Sequence, residues 1–390
     1  MRLANVIAIG LAVGVIIRAN PTCSSVANLS NVGAESSRSL FKFPQIPNFT
    51  NFKQKFHKHY KSIAEELSRR RIFLSRVFRV FVSNVKYKHS LASSYLSISS
   101  RSDLTQAETN NLFLDGRETL LFEERMQIPL VRAVDLERAL GPKVSGVRRL
   151  KRHISEEESA SLNSTLHHDL RKTGCLSEPR DQGSCASCYA FATIALYEWL
   201  HCMQTGSLAA YSEQFLIDCG HLEQMNACRG GHPIQVAQFV ARHGLRSLAS
   251  YKYIMRPSQC PLEDLSKLAD REPERDSRPT RVEESGLVKI RTAEFDRVLR
   301  FMPILVGLRP GAAFVDYGGG VDDGSNCDEE NAHAILLVGS GTEDGIGFWL
   351  LRNSFGPQWG EGGHFRLAKE AMGACAVSQF GFLSRAKFSS

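Results

Sequence analysis

Nine of the ten cysteines in this 390-residue chain lie at or beyond residue 175; only Cys23 precedes them. Whatever needs sulfur chemistry or disulfide cross-links therefore sits in the C-terminal part. The N-terminus points to a compartment where such bonds persist. Met1-Arg2 leads into an apolar run from Val6 to Ile17, then Arg18-Ala19-Asn20-Pro21. A charged start and an apolar run of about a dozen residues predict a signal peptide over 1–19, since a membrane span needs about 20. The competing reading of this run is an uncleaved anchor. No later stretch reaches spanning length, so stable membrane insertion is not expected. Three sequons, at Asn28, Asn48 and Asn163, are expected glycosylation sites in a secreted chain.

Charge is as uneven as sulfur. Residues 1–159 hold 25 basic and 14 acidic residues, a net +11, and the remainder holds 23 and 27, a net −4. A basic half could serve nucleic acid, but a basic segment docked on an acidic domain explains the split equally, and no nucleic-acid partner is expected. With 43% hydrophobic and 23% charged residues, the chain is neither wholly disordered, collagen-like nor coiled coil.

From Phe52 to about Tyr87 there is no Pro or Gly, and Phe56, Tyr60 and Ile63, then Phe73, Val77 and Val80, recur at helical spacing. Residues 115–160 lack a clear period. They include Arg148-Arg149-Leu150-Lys151-Arg152 and Glu156-Glu157-Glu158, and read as an exposed, cleavable linker. Beyond 160 the spacing predicts helices over Cys188–Met203, from Ser212, and over Pro233–Arg242. Short apolar or alternating runs at 334–338, 347–351 and 364–367 predict strands. Helices followed by strands suggest an α+β fold with two segregated lobes.

The most informative stretch is Gln182-Gly183-Ser184-Cys185-Ala186-Ser187-Cys188-Tyr189-Ala190-Phe191. A cysteine at the start of an apolar helix has its thiolate stabilised by unpaired N–H groups and the helix dipole. Cys185 and Cys188 also form a C-x-x-C pair. A zinc site needs a second pair at similar spacing, which Cys219 and Cys228 do not supply, and a redox motif expects a preceding βαβ unit, which is missing.

These residues resemble the papain-like cysteine proteases (cathepsins), whose nucleophile signature is C-G-[SA]-C-[WY]; here it reads Cys185-Ala186-Ser187-Cys188-Tyr189. Asp169-Leu170-Arg171 resembles the family's D-W-R. Ser212-Glu213-Gln214-Phe215-Leu216-Ile217-Asp218-Cys219 resembles S-E-Q-x-L-x-D-C, and Cys228-Arg229-Gly230-Gly231 resembles G-C-x-G-G without its first Gly. Ala332-His333-Ala334 begins a run similar to the catalytic-His strand, and Asn353-Ser354-Phe355-Gly356-Pro357-Gln358-Trp359-Gly360-Glu361 resembles N-S-W-G-x-x-W-G-E. The motifs stand in family order over 169–380.

The resemblance implies a two-lobed α+β fold, one lobe mainly helical and one β-barrel-like, over 161–390. It implies Cys188 as nucleophile, His333 as its base, forming a thiolate–imidazolium pair, Asn353 as the orienter of the imidazole, and Gln182 as an oxyanion donor beside the Cys188 N–H. Gly230 and Gly231 would pair with an extended peptide, His232 and Pro233 would line the pocket for the second residue before the cut, Phe380 would shorten that pocket, and Trp359 would floor the leaving side. Disulfides Cys185–Cys228, Cys219–Cys260 and Cys327–Cys375 follow from the same likeness. Cys175 and Cys202 have no family partner and either pair together or remain buried thiols. No cofactor or metal is implied.

The N-terminal half resembles the family's inhibitory propeptide, expected over 20–114 with its helical segment at about 50–110. Glu65, Arg69, Phe73, Val80 and Asn84 fit the E-R-F-N-I-N spacing, with Arg76 in place of the first Asn, and Asp103-Leu104-Thr105 with Glu108 resembles the end of the following motif. The expectation is a zymogen, activated by cleavage within 115–160 and released by acid as carboxylates are protonated. It would be an endopeptidase of the secretory pathway, in a lysosome-like acidic compartment or outside the cell. Its partners would be peptide or protein substrates, its own propeptide, and cystatin-type inhibitors. The alternatives are an inactive homologue acting as a binding protein and an exopeptidase of the same family.

Overall fold

The computed structural model describes residues 47–140, 164–262 and 279–388, apart from 326 and 329. The signal peptide, Asn28, Asn163 and the basic run at 148–152 lie outside the described residues. In chain order, α1 (Phe49–Lys55) and α2 (Ile63–Lys88) lead to β1 (Ser94–Leu96), α3 (Gln106–Asn110), β2 (Leu114–Asp115), α4 (Gly116–Arg125) and α5 (Ala133–Leu140). Then come β3 (Ser164–Asp169), α6 (Cys188–Thr205), α7 (Glu213–Cys219) and α8 (Pro233–His243). The strands β4 (Val282–Glu283), β5 (Leu287–Arg291), β6 (Ile304–Leu308), β7 (Tyr317–Asp322), β8 (Asn331–Glu343), β9 (Ile346–Arg352), β10 (His364–Ala368), β11 (Phe380–Ser384) and β12 (Lys387–Phe388) complete the chain.

The helical and strand-rich parts are segregated, as expected. Helix α6 is apolar on nearly every face, which only a helix enclosed by other elements tolerates; it packs against α8 and β8. Gly206 ends it in the left-handed conformation at φ 74°. Ser212 caps α7 through the Phe215 N–H. The main sheet runs β1-β7-β10-β9-β8-β6-β11-β5, with β2 and β3 also on β8. β8 is its longest strand and almost wholly buried. Four disulfides join Cys175–Cys202, Cys185–Cys228, Cys219–Cys260 and Cys327–Cys375. Cys188 is free and buried. Because Cys185 is bonded to Cys228, the C-x-x-C pair is not a dithiol.

Two expectations need correction. The helix expected over 52–87 is broken into α1 and α2. His57 adopts φ 51°, and Ser62 starts a new helix by accepting the Glu65 N–H. The stretch 115–140, expected to be exposed linker, forms β2, α4 and α5. Their buried residues include Glu123, Ala133 and Leu136, and residues 129–131 lie parallel beside β5 through Lys289 N–H to Pro129 O and Val131 N–H to Lys289 O. The period was hidden because the two helices are short and only a few of their residues face inward.

The N-terminal segment is sewn to the domain. β1 pairs antiparallel with β7. The Arg76 guanidinium meets Asp316 at 2.8 Å, with both side chains buried. Arg101 pairs with Asp181 and lies 4.1 Å over the Phe355 ring. No described helix is long and apolar enough to cross a membrane.

Candidate active site

Cys188 opens α6, where first-turn N–H groups lack helical partners. Its Sγ accepts the Ala334 N–H at 3.4 Å, which sets the sulfur against β8 one residue beyond His333. His333 lies on β8, and Asn353 directly follows the neighbouring strand β9. Asn353 Oδ1 accepts the Ser354 N–H at 2.8 Å, which fixes the amide's orientation. The same oxygen therefore accepts from His333 Nε2 at 2.7 Å. That tautomer leaves Nδ1 with its lone pair, and Nδ1 has no hydrogen-bond partner among the described residues.

Gln182 lies buried beside this trio. Its Oε1 accepts from Ser354 Oγ at 2.6 Å, and its Nε2 donates to Cys185 O at 2.9 Å and to Leu112 O at 3.1 Å. Leu112 belongs to the N-terminal segment. The amide expected to hold an oxyanion thus holds a carbonyl of that segment. Phe113 follows, its ring 5.5 Å from the His333 imidazole in a T-shaped contact, with Phe314 and Phe355 at 5.7 and 5.4 Å on other sides. Leu114 then pairs with Ala332 through β2.

This enclosure decides the protonation states. Burial pushes the Cys188 thiol up to about 12, against which three backbone N–H groups pull only weakly. Burial pulls the His333 imidazole down to about 4; the Asn353 bond opposes this and the Arg101 charge adds to it. With the N-terminal segment in place, burial disfavours the charged form of both groups. Charged groups lose hydration on burial, so the lid silences the pair electrostatically as well as by obstruction.

Each of the other expected site residues is held by its own contacts. A side chain at Gly231 would put Cβ 2.7 Å from the Tyr189 ring, so the ring beneath, as much as any approaching peptide, demands glycine. Gly230, at φ 127°, would meet Leu114 at 3.0 Å. His232 caps α8, and Pro233 is its first residue. Trp359 is buried, donating Nε1–H to Val315 O at 3.1 Å and packing T-shaped on Phe355. Phe380 is only half-buried at the start of β11; the β11 ring that meets His232 is Phe382, at 5.8 Å. Asn48 is exposed and caps α1 through Oδ1, leaving its Nδ2 free of that role. Sequence reasoning missed Leu112, Phe113, Glu123, Lys289 and Phe382. The apolar triplet Leu112-Phe113-Leu114 was the available signal for the first two.

Comparison with known proteins finds two family descriptions on the chain. "Papain family cysteine protease" matches residues 165–383, and "Cathepsin propeptide inhibitor domain (I29)" matches 49–109. A cathepsin L-like proteinase of Phaedon cochleariae is 28% identical over 335 residues, covering 85% of this chain and 91% of that protein. Papaya proteinase 4 of Carica papaya is 27% identical over 343 residues, with 85% and 84% covered. Among solved structures, digestive procathepsin L2 proteinase from Tenebrio molitor larval midgut superposes with a TM-score of 0.67 at 26% identity, covering 86% of this chain and 98% of that one.

Proposed function

The chain belongs to the papain family of cysteine proteases and is a zymogen carrying its own inhibitor domain; from that premise we propose that Cys188, His333, Asn353 and Gln182 carry the reaction and that the freed enzyme is an endopeptidase of an acidic compartment. With the pro-segment gone, water and substrate dipoles return to the site, and the thiol proton passes to His333 Nδ1. Cys188 Sγ attacks the scissile carbonyl carbon. The oxygen that takes up the negative charge is held by Gln182 Nε2–H and the Cys188 N–H, donors typically worth about 3 kcal/mol each in the transition state. His333 returns its proton to the leaving amine, the C–N bond breaks, and a thioester remains. Water, deprotonated by His333, then splits the thioester and restores the thiol. Asn353 keeps the ring oriented throughout.

The observation that carries this reading is the Leu112 carbonyl on Gln182 Nε2: a backbone carbonyl already occupies the position where a scissile one would be polarised. A continuous chain passes the site on both sides, from Leu112 through α4, which supports cleavage within a chain rather than at its end. The four disulfides and the apolar N-terminus support secretion, and cystatin-type inhibitors are the expected competitors for the opened cleft. The test is titration of acid-treated protein with a thiol-alkylating epoxide. One equivalent per chain should bind at Cys188, abolishing peptide hydrolysis in proportion, while Cys188→Ser should fold, bind none and keep below about 1% of the activity, since a serine hydroxyl is not ionised by this histidine. Residual hydrolysis by Cys188→Ser above that level refutes the nucleophile.

A further inference from the structure

A buried carboxyl group packs against His232, the residue after Gly231. Glu123 Oε1 stands 3.3 Å from His232 Nε2, both side chains being 5% exposed, and Glu123 Oε2 has no hydrogen-bond partner among the described residues. The direction of the bond is fixed from the far side of the ring. His232 Nδ1 accepts the Ile234 N–H at 3.2 Å as part of the α8 cap, so Nε2 carries a hydrogen and offers it to Glu123. Phe122 lies 4.8 Å from the same imidazole, and Phe382 closes its other side. Lys289 Nζ donates to the Glu123 carbonyl at 3.2 Å and lies 5.2 Å from the Phe380 ring. Were Phe122 and Glu123 to leave, the space they fill would be bordered by the Phe382 ring and the buried His232 N–H, with the Lys289 ammonium group on the side of the Glu123 backbone.

Resting on the protease reading above, we propose that this pocket selects substrates with an acidic side chain, glutamate in particular, at the second residue before the cut, and that Glu123 is its built-in occupant. A leucine there would press hydrocarbon onto the His232 N–H and leave that donor dry and unpaired. A site built to hydrogen-bond its ligand rejects an analogue that cannot accept. A glutamate restores the bond now made by Glu123, and Lys289, which donates to the backbone carbonyl of Glu123, adds positive potential on that side. An arginine would set a cation against both donors.

The experiment compares two peptides identical except for Glu or Leu at that position, with an Arg peptide as third arm, on epoxide-titrated mature enzyme. The wild type should cleave the Glu peptide with a kcat/KM about tenfold above the Leu peptide, the scale of one hydrogen bond to a charged group. His232→Leu should reverse the ratio. His232→Asn, which still caps α8 but is too short to reach, should bring it near one, and Lys289→Gln, distant from the α8 cap, should reduce it about threefold. A wild-type preference for Leu or Arg overturns the proposal even if neither His232 variant folds, and so does a Glu preference unchanged in the variants. Failure to cleave all three peptides, with Cys188 unlabelled, overturns the protease reading and this proposal with it, whereas labelled enzyme that prefers Leu overturns this one alone.

Discussion

Arg76 occupies a helix position where the family's propeptide motif has asparagine, and the structure gives the departure a partner. Its guanidinium donates to Asp316 and to Ala312 O at 3.1 Å, while Ser102 Oγ supplies the other Asp316 oxygen at 2.8 Å. Removing one member strands a buried charge, which typically costs 3–5 kcal/mol. Arg76→Ala should therefore loosen the pro-segment and raise peptide hydrolysis by intact precursor at neutral pH at least tenfold, read on Cys188-titrated samples. Phe355 is the second informative residue. It packs on His333 and lies under Arg101, so Phe355→Ala should lower the melting transition through a cavity cost of about 3–5 kcal/mol and also slow single-turnover acylation per folded molecule, because water then reaches the His333–Asn353 bond. Lower melting with unchanged acylation would reduce Phe355 to ordinary core. At this scale the sequence was most legible at Cys188, His333, Asn353 and Gln182, where the chemistry restricts residue type. Glu123 was illegible. Its partner His232 is 109 positions away, and only the path of the pro-segment brings the two together.

Among the elements, those with long apolar stretches and clear caps were readable: α6 with Gly206, α7 with Ser212, and β8 through its unbroken apolar run. The short ones were not. α5 places Ala133 and Leu136 inward, with Ala133 N–H on Glu294 at 2.9 Å and Glu137 on Arg297 at 3.0 Å, but eight residues with two inward side chains do not make a period that stands out from loop. The break between α1 and α2 was equally hidden, since it rests on one residue in a rare backbone conformation and a serine cap. Leu136 is 3% exposed. Leu136→Ala should cost about 2–3 kcal/mol of docking and make the 126–140 stretch susceptible to limited proteolysis, while the melting of the mature domain after processing stays within about a degree of wild type. Equal protection of both precursors would show that α5 is held by its charged contacts instead.

At the scale of the whole molecule, the charge imbalance is carried by few contacts. Arg76 and Arg101 reach domain carboxylates, and Glu137 and Arg297 pair in the reverse sense. The acid release expected from the sequence would therefore need a specific group. On the mechanism proposed above, Cys188 and His333 would not supply it, because opening would move one proton from sulfur to nitrogen and take none from solvent. Asp316 does not supply it either. Burial raises its carboxyl despite the charge of Arg76, and a carboxyl raised in the closed form favours that form as pH falls. Glu108 has the right sign. Hydrogen bonds from Arg69 hold it at about 2 against an ordinary 4.5, so its contribution to the pro-segment's fold is present above 4.5 and is lost as pH falls from there toward 2. Glu108→Gln should shift acid conversion to higher pH and shorten its half-time at pH 5.5 severalfold, consistent with a partly exposed pair of about 1 kcal/mol, as read by gel time courses. Unchanged conversion would place the acid trigger elsewhere. Conversion also changes how the molecule meets its neighbours. Were the expected cleavage to fall beyond residue 131, the backbone N–H and C=O of Lys289 would lose their partners in residues 129–131 and the main sheet would end in an uncapped border strand. Such borders recruit strands from other chains. β5 carries Lys289 and exposed Arg291 in that row, and closely spaced like charges oppose stacking of a second copy there, so a mature form without the covering segment would retain a safeguard against self-association.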